Sequence, residues 1–215
     1  MPNSAFPYRL YLVISEADCR NSNYLQVAEQ AIKGGVDIIQ LREKNLSTEQ
    51  YTAKAIRLKE ITDKYNIPLI INDSLETAMN VNAFGIHVGN NDKRPTEIRN
   101  AWKDCQSLGY SIEFIEQLQN KETQTADCLG ISPVFNTATK KDTIREWGLE
   151  GITAIRSLTS KPLIAIGNMN LSNAEAVIKS GADCLAVVSA ICSAPNPEKT
   201  AYELKNTILK SLQIQ

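Results

Sequence analysis

Little in this sequence supports a membrane span, a disulfide framework or a nucleotide-binding loop. No apolar run approaches the ~18 residues a membrane helix needs, and Met1–Pro7 has neither a basic start nor an apolar stretch of signal-peptide type. The five cysteines (Cys19, Cys105, Cys128, Cys184 and Cys192) are odd in number and far apart, with no CxxC pair. That argues against structural zinc and against a disulfide scaffold, and it fits a reducing compartment. Cys128 and Cys184 lie in apolar runs and read as small core residues. The formal net charge is -1, so no overall field draws the chain to nucleic acid or membrane. No tract rich in Gly, Ser or Pro marks a linker, no GxGxxG follows the first apolar run, and there is no Walker loop. The expectation is a cytoplasmic protein with one domain over residues 1–215. A homo-oligomer stays open.

What is present is a repeating unit. Eight short apolar runs read as strands: Tyr8–Ser15, Asp37–Glu43, Pro68–Asn72, Phe84–Gly89, Leu108–Ile112, Asp127–Ser132, Pro162–Gly167 and Asp183–Ala190. Helical patterns alternate with them. Tyr24–Lys33 is the first, and Ser47 with Gln50 forms a capping box before a second. That second helix carries Tyr51, Ala55, Leu58, Ile61 and Tyr65 on one stripe. Further helices are expected over Ser74–Asn80, from Pro95 to about Asp104, over Ile115–Thr123 and over Leu149–Leu158. Another is capped by Ser172 with Glu175, and a last one buries Ala201, Leu204, Ile208 and Leu212. The strands are continuously apolar rather than alternating, as in a parallel sheet covered by helices. A small residue followed by an acid recurs before strands, as Gly35-Val36-Asp37, Ala126-Asp127 and Gly181-Ala182-Asp183. The fold expected is an α/β (β/α)8 TIM barrel over about residues 8–213. A doubly wound open sheet is the alternative.

One strand breaks the apolar rule. In Asp37–Lys44, Gln40, Arg42 and Lys44 alternate, so an extended chain points all three to one side and Ile39 and Leu41 to the other. Inward polar groups need partners, and two cations suit an anion such as phosphate or diphosphate. Barrel enzymes hold their sites where strands end. At those ends stand Asn72 and Asp73; Asn90, Asn91 and Asp92; Ser111 and Glu113; Thr137, Thr139, Lys140 and Lys141; Gly167 and Asn168; and Ser189. Cations, hydroxyls and two aspartates together look like diphosphate with a hard metal. Each also has a plain structural reading. Asp73 with Glu76 could cap a helix, and Asp92 could make a surface turn, although Pro95 puts the next cap at Arg94. Lys140–Lys141 could be a solvated loop. His87, the one histidine, reads as a satisfied core or strand-end residue rather than a general base.

Gln40-Leu41-Arg42-Glu43-Lys44, Ile71-Asn72-Asp73, Gly85-Ile86-His87-Val88-Gly89 with Asp92, Pro133-Val134-Phe135 with Thr137-Ala138-Thr139-Lys140, and Val188-Ser189-Ala190-Ile191 together resemble thiamine phosphate synthase. The resemblance runs from about Tyr11 to Lys205. It implies a transferase that condenses hydroxymethylpyrimidine diphosphate with thiazole phosphate. It implies Mg2+ held by Asp73 and Asp92. Diphosphate would be bound by Arg42, Lys44, Asn72 and Lys140, and the pyrimidine met by Gln40. Ser111 and Lys140 would serve the reacting end. Thr137, Thr139, Gly167, Val188 and Ser189 would hold the thiazole phosphate. The family's Ser-x-His-Thr reads Ser111-Ile112-Glu113-Phe114 here, its Gly-Pro reads Ser132-Pro133, and its Gly-Gly reads Gly167-Asn168. Two alternatives accompany these departures: an isomerase resembling thiazole tautomerase, and a paralogue that binds a thiamine precursor without turnover.

Overall fold

Consecutive apolar residues in every strand require cover on both faces, and the barrel supplies it. The computed structural model describes residues 6–20, 22–136 and 146–213. The strands are β1 (Leu10–Ile14), β2 (Ile38–Leu41), β3 (Leu69–Asn72), β4 (Gly85–Val88), β5 (Ser107–Ile112), β6 (Cys128–Ile131), β7 (Leu163–Ile166) and β8 (Cys184–Val187). Each pairs in parallel with the next, and β8 pairs back to β1, so the sheet closes and has no edge. The open sheet is thereby excluded. Around it lie α1 (Tyr24–Lys33), α2 (Thr48–Lys64), α3 (Leu75–Asn80), α4 (Pro95–Ala101), α5 (Lys121–Thr125), α6 (Gly148–Leu158), α7 (Ala174–Lys179), α8 (Ser189–Cys192) and α9 (Pro197–Gln213).

Alternation sorts each strand between two cores. Leu10, Leu12 and Ile14 of β1 pack outward under the helices, while Tyr11 and Val13 point into the barrel. Ile38, Ile70, Cys128, Ile164 and Cys184 fill the interior with them, and Phe6 closes it, its ring edge-on to Tyr8 at 4.9 Å. All five cysteines are free and buried.

Local signals decide most boundaries. Ser47 and Gln50 form the capping box of α2, and Arg94 precedes Pro95 at the start of α4. Three expectations need correction. Residues 115–123 are not one helix: a 3-10 turn, Ile115–Gln119, gives way to α5, because the Asn120 side chain accepts from Thr123 N at 2.7 Å and restarts the chain. Ser172 does not cap α7. Asn173 stands at that position, Ser172 N donates to Asn170 Oδ1 at 2.9 Å, and Glu175 pairs with Lys179. α8 interposes a short helix between β8 and α9 that the sequence reading omitted.

The recurring acid has a common task. Asp37, just before β2, accepts from Arg9 N and Leu10 N at 2.8 and 2.9 Å, capping β1. Asp127, before β6, accepts from Leu108 N of β5 at 2.7 Å. Asp183, before β8, accepts from Leu163 N of β7 at 2.8 Å. Each also meets a helix cation: Lys205, Arg99 and Arg156 in turn. One carboxylate thus satisfies a strand-start amide and locks a helix to the barrel floor. Asp183→Ala should cost about 2–3 kcal/mol, since the Leu163 amide and Arg156 both lose a charged acceptor. An unchanged urea midpoint would contradict this.

Candidate functional site

β2 is shorter than the alternation argument assumed. It ends at Leu41, so only Gln40 of the polar stripe lies in the strand. Arg42 extends the ladder by one bond, its amide donating to Ile14 O at 2.9 Å, and Lys44 stands in the loop beyond. The three side chains nevertheless open onto one cleft at the C-terminal ends of the strands. Its empty volume is ≈ 1360 Å³, open solvent included. Gln40 is 5% exposed and donates to the Tyr11 hydroxyl at 2.9 Å. The half-buried Arg42 guanidinium forms no ion pair among the described residues.

Two carboxylates face these cations. Asp73 sits in the left-handed region at φ 62, its amide held by His87 O at 2.9 Å. Aspartate tolerates that conformation better than most residues, and backbone strain at a cleft is a functional marker. Asp73 is not a helix cap: Ser74 takes that place, accepting from Thr77 N at 3.2 Å. The Asp73 carboxylate instead accepts from Lys44 Nζ at 2.9 Å. Asp92 Oδ2 accepts from Gly89 N at 2.8 Å, which folds the loop after β4 back on itself. Burial pushes the Asp92 carboxyl above its ordinary range, and contact with the Asp73 carboxyl adds to this; the Gly89 amide and Lys44 oppose it. Two touching carboxylates are a hard oxygen donor set. No group of three or more acidic, His or Cys ligands forms among the described residues. A cation here would therefore take its remaining ligands from water or from a bound anion, which is how Mg2+ is usually held.

The next strands carry the imidazole of His87, a satisfied strand residue as its sequence setting suggests, and one that also reaches the cleft. His87 points into the cleft, and its Nε2 lies 2.9 Å from Ser111 Oγ. The ring needs two glycines beside it. A Cβ at Gly109 would lie 2.3 Å from His87 Nδ1, and one at Gly130 3.0 Å from its Cε1. Glu113 lines the cleft, whereas Phe114 turns to solvent at 44% exposure. Gln117 Oε1 produces this split by accepting from both amides, at 2.7 and 2.8 Å.

Across the cleft, Gly167 has φ 116, and a Cβ there would come within 2.7 Å of Pro133 Cβ. Asn168 follows at φ 55. Asparagine is the side-chain residue that best tolerates this region, so replacing a second glycine keeps the left-handed turn. The Ser132–Pro133 peptide is cis. Val188 and Ser189 line the same wall, with Ile164 and Ile166 below.

Gln40, Arg42, Lys44, Asn72, Asp73, Asp92, Ser111, Gly167, Val188 and Ser189 thus meet at a single cleft. Thr137, Thr139 and Lys140 lie outside the described residues. The residues missed are Tyr11, Asp18 and His87. The signal for Tyr11 was available: alternation puts it on the same inward face of β1 as Val13, which pairs with Gln40. For His87 it was not, because only the tertiary packing of Gly109 and Gly130 makes room for the ring.

The family model described as thiamine monophosphate synthase matches residues 10–191. The chain is 40% identical over 200 residues to the thiamine-phosphate synthase of Albidiferax ferrireducens, covering 93% of this chain and 91% of that one. It is 37% identical over 198 residues to the thiamine-phosphate synthase of Chloroflexus aurantiacus, covering 92% and 91%. Among solved structures it resembles the thiamine phosphate pyrophosphorylase from Pyrococcus furiosus, with a TM-score of 0.88, 28% identity, and coverage of 98% and 100%.

Proposed function

The chain belongs to the thiamine monophosphate synthase family and is a transferase of that kind, and from this premise we propose how its cleft works. The reaction joins a hydroxymethylpyrimidine diphosphate to a thiazole phosphate, giving thiamine phosphate and diphosphate. The observation that carries this reading is the meeting, in one cleft, of Lys44, the Arg42 guanidinium and two touching carboxylates.

In the proposed assignment Asp73 and Asp92 hold Mg2+. When bound, that ion would neutralise charge on the diphosphate oxygens. Arg42, Lys44, Asn72 and Lys140 bind the diphosphate itself, and Gln40 meets the pyrimidine. The C–O bond to the leaving group breaks first, and its electron pair goes to the diphosphate oxygen. The resulting carbocation is stabilised by the pyrimidine ring and captured by the lone pair of the thiazole nitrogen. No proton needs to leave carbon. The work left to the chain is to hold the departing charge and the two partners in line.

Ser111, fixed by His87, touches the reacting end. Thr137, Thr139 and the backbone at Gly167, Val188 and Ser189 hold the thiazole phosphate. Ile164, Ile166 and Val188 keep water from the cation.

A second reading has one observation in its favour. Glu113 lines the cleft, and a carboxylate can move a proton, so isomerisation of a thiazole carboxylate is the competing reaction. Purified protein given both phosphates and Mg2+ separates the two. Thiamine phosphate and diphosphate formed one for one support the synthase. Isomerised thiazole carboxylate with no thiamine phosphate would sink it.

A further inference from the structure

Tyr51 lies in the first turns of α2, 6% exposed, where its ring continues the buried stripe with Ala55 and Leu58. Phenylalanine would fill the same space, so packing alone leaves the hydroxyl unexplained. That hydroxyl donates to Leu41 O at 2.7 Å and lies 3.2 Å from Asn72 O, sharing one proton between two carbonyls. Leu41 immediately precedes Arg42, and Asn72 immediately precedes Asp73. One hydroxyl therefore ties together the strand ends that present the cations and the first carboxylate.

A second contact from α2 reinforces the first. The Glu43 side chain is 7% exposed and accepts from Lys54 Nζ at 3.0 Å and from Glu16 N at 3.0 Å. The segment Arg42–Lys44 is thus held from beneath by one helix while its cations face the cleft.

We propose that Tyr51 is a positioning residue for the diphosphate end of the site, setting the spacing of Arg42 and Lys44 against Asn72 and Asp73. This inference rests on the synthase reading above. The Tyr51 hydroxyl bonds to the ends of β2 and β3, whereas Gly167, Val188 and Ser189 of the thiazole-phosphate wall follow β7 and β8. Loss of the hydroxyl therefore acts on one substrate and not the other. A purely structural hydroxyl would not make that distinction.

The test is Tyr51→Phe beside Ser211→Ala. Ser211 is also buried, and its hydroxyl donates to Thr207 O at 2.7 Å within α9. Two readouts are taken: KM for each substrate, and calorimetric affinity for inorganic diphosphate with Mg2+. For Tyr51→Phe, KM for the pyrimidine diphosphate and the dissociation constant for Mg2+-diphosphate should each rise about tenfold, with KM for thiazole phosphate within about twofold, as for loss of an outer support to metal-site ligands. Ser211→Ala should lower the melting temperature without splitting the two KM values. Lys54→Met, which removes the second tie, carries the same split and serves if Tyr51→Phe does not fold. Unchanged constants in an active background, or both KM values rising alike, would overturn the inference alone. A wild-type protein that makes no product and binds no Mg2+-diphosphate would overturn the synthase reading and this inference with it.

Discussion

Asp92→Asn should abolish Mg2+-dependent synthesis and still yield a more stable metal-free protein. The asparagine oxygen can accept from Gly89 N as Asp92 Oδ2 does at 2.8 Å, so the loop after β4 keeps its shape. What goes is one charge. If that charge helps hold the ion whose neutralisation of the leaving group is worth several kcal/mol, ~4 kcal/mol of lost stabilisation is about 10³-fold in rate. Stability should move the other way. Burial and the Asp73 carboxyl both disfavour the ionised form of Asp92 in the folded protein, and the variant removes that repulsion. The group is partly solvated, so the gain is about 1 kcal/mol at most, or roughly 2–4 °C for a chain of this size. Melting curves with and without Mg2+ check both halves. Mg2+ should raise the transition of the wild type through linkage and leave that of the variant unmoved. A less stable variant would contradict the repulsion between the two carboxylates, and one that keeps the Mg2+ response would show that Asp92 is not a ligand.

Gly109→Ala should damage both folding and catalysis, through a residue of β5 that has no side chain of its own. The new Cβ would lie 2.3 Å from His87 Nδ1 and 3.2 Å from its Cε1. The imidazole must swing away, and its hydrogen bond to Ser111 goes with it. Overpacking of this kind costs about 1–3 kcal/mol, and misplacing a group at the reacting end costs about tenfold or more in rate. The diagnostic is the double variant. Adding His87→Ala removes the clash, so the pair should be more stable than the sum of the single losses by about 1 kcal/mol or more. Strict additivity in denaturant melts would mean that the ring does not occupy that slot.

The fold was legible because its units repeat. The strands are short and mostly apolar, the longer helices each carry one apolar stripe, and three strands are preceded by a small residue and an acid. The structure gives that last pattern a cause in Asp37, Asp127 and Asp183, each capping the neighbouring strand. Local polar competition was harder to read. Asn120 and Asn170 redirect the backbone with their own side chains, and neither breaks the hydrophobic period strongly enough to be noticed.

The site was legible for a similar reason and with a similar limit. The strand-end polar residues that lie among the described residues meet at one cleft because barrel topology brings them together whatever their separation in sequence. Gln40, Arg42 and Lys44 share one cleft although β2 stops at Leu41, so strand alternation accounts for Gln40 and the loop beyond for Lys44. Two of the departures from the family pattern change meaning in three dimensions. Phe114 faces solvent and so removes nothing from the cleft, and Asn168 adopts the left-handed turn expected of glycine. Glu113 does enter the cleft. Side-chain roles that depend on layers beneath the strands, such as the His87 ring over glycines and the Tyr51 hydroxyl under two carbonyls, leave no mark in a one-dimensional pattern.

The central claim is that the ends of β2, β3 and β4 form a site for a diphosphate and a divalent cation together. Calorimetric titration of inorganic diphosphate into the protein, with Mg2+ and with chelator, tests it most directly. The account predicts binding with Mg2+ that weakens by about 100-fold when the metal is removed, equivalent to ~2.7 kcal/mol of lost charge neutralisation. It predicts the same loss in Asp92→Asn with Mg2+ present. Diphosphate binding that is equally tight with and without Mg2+, and unaffected by Asp92→Asn, would contradict it.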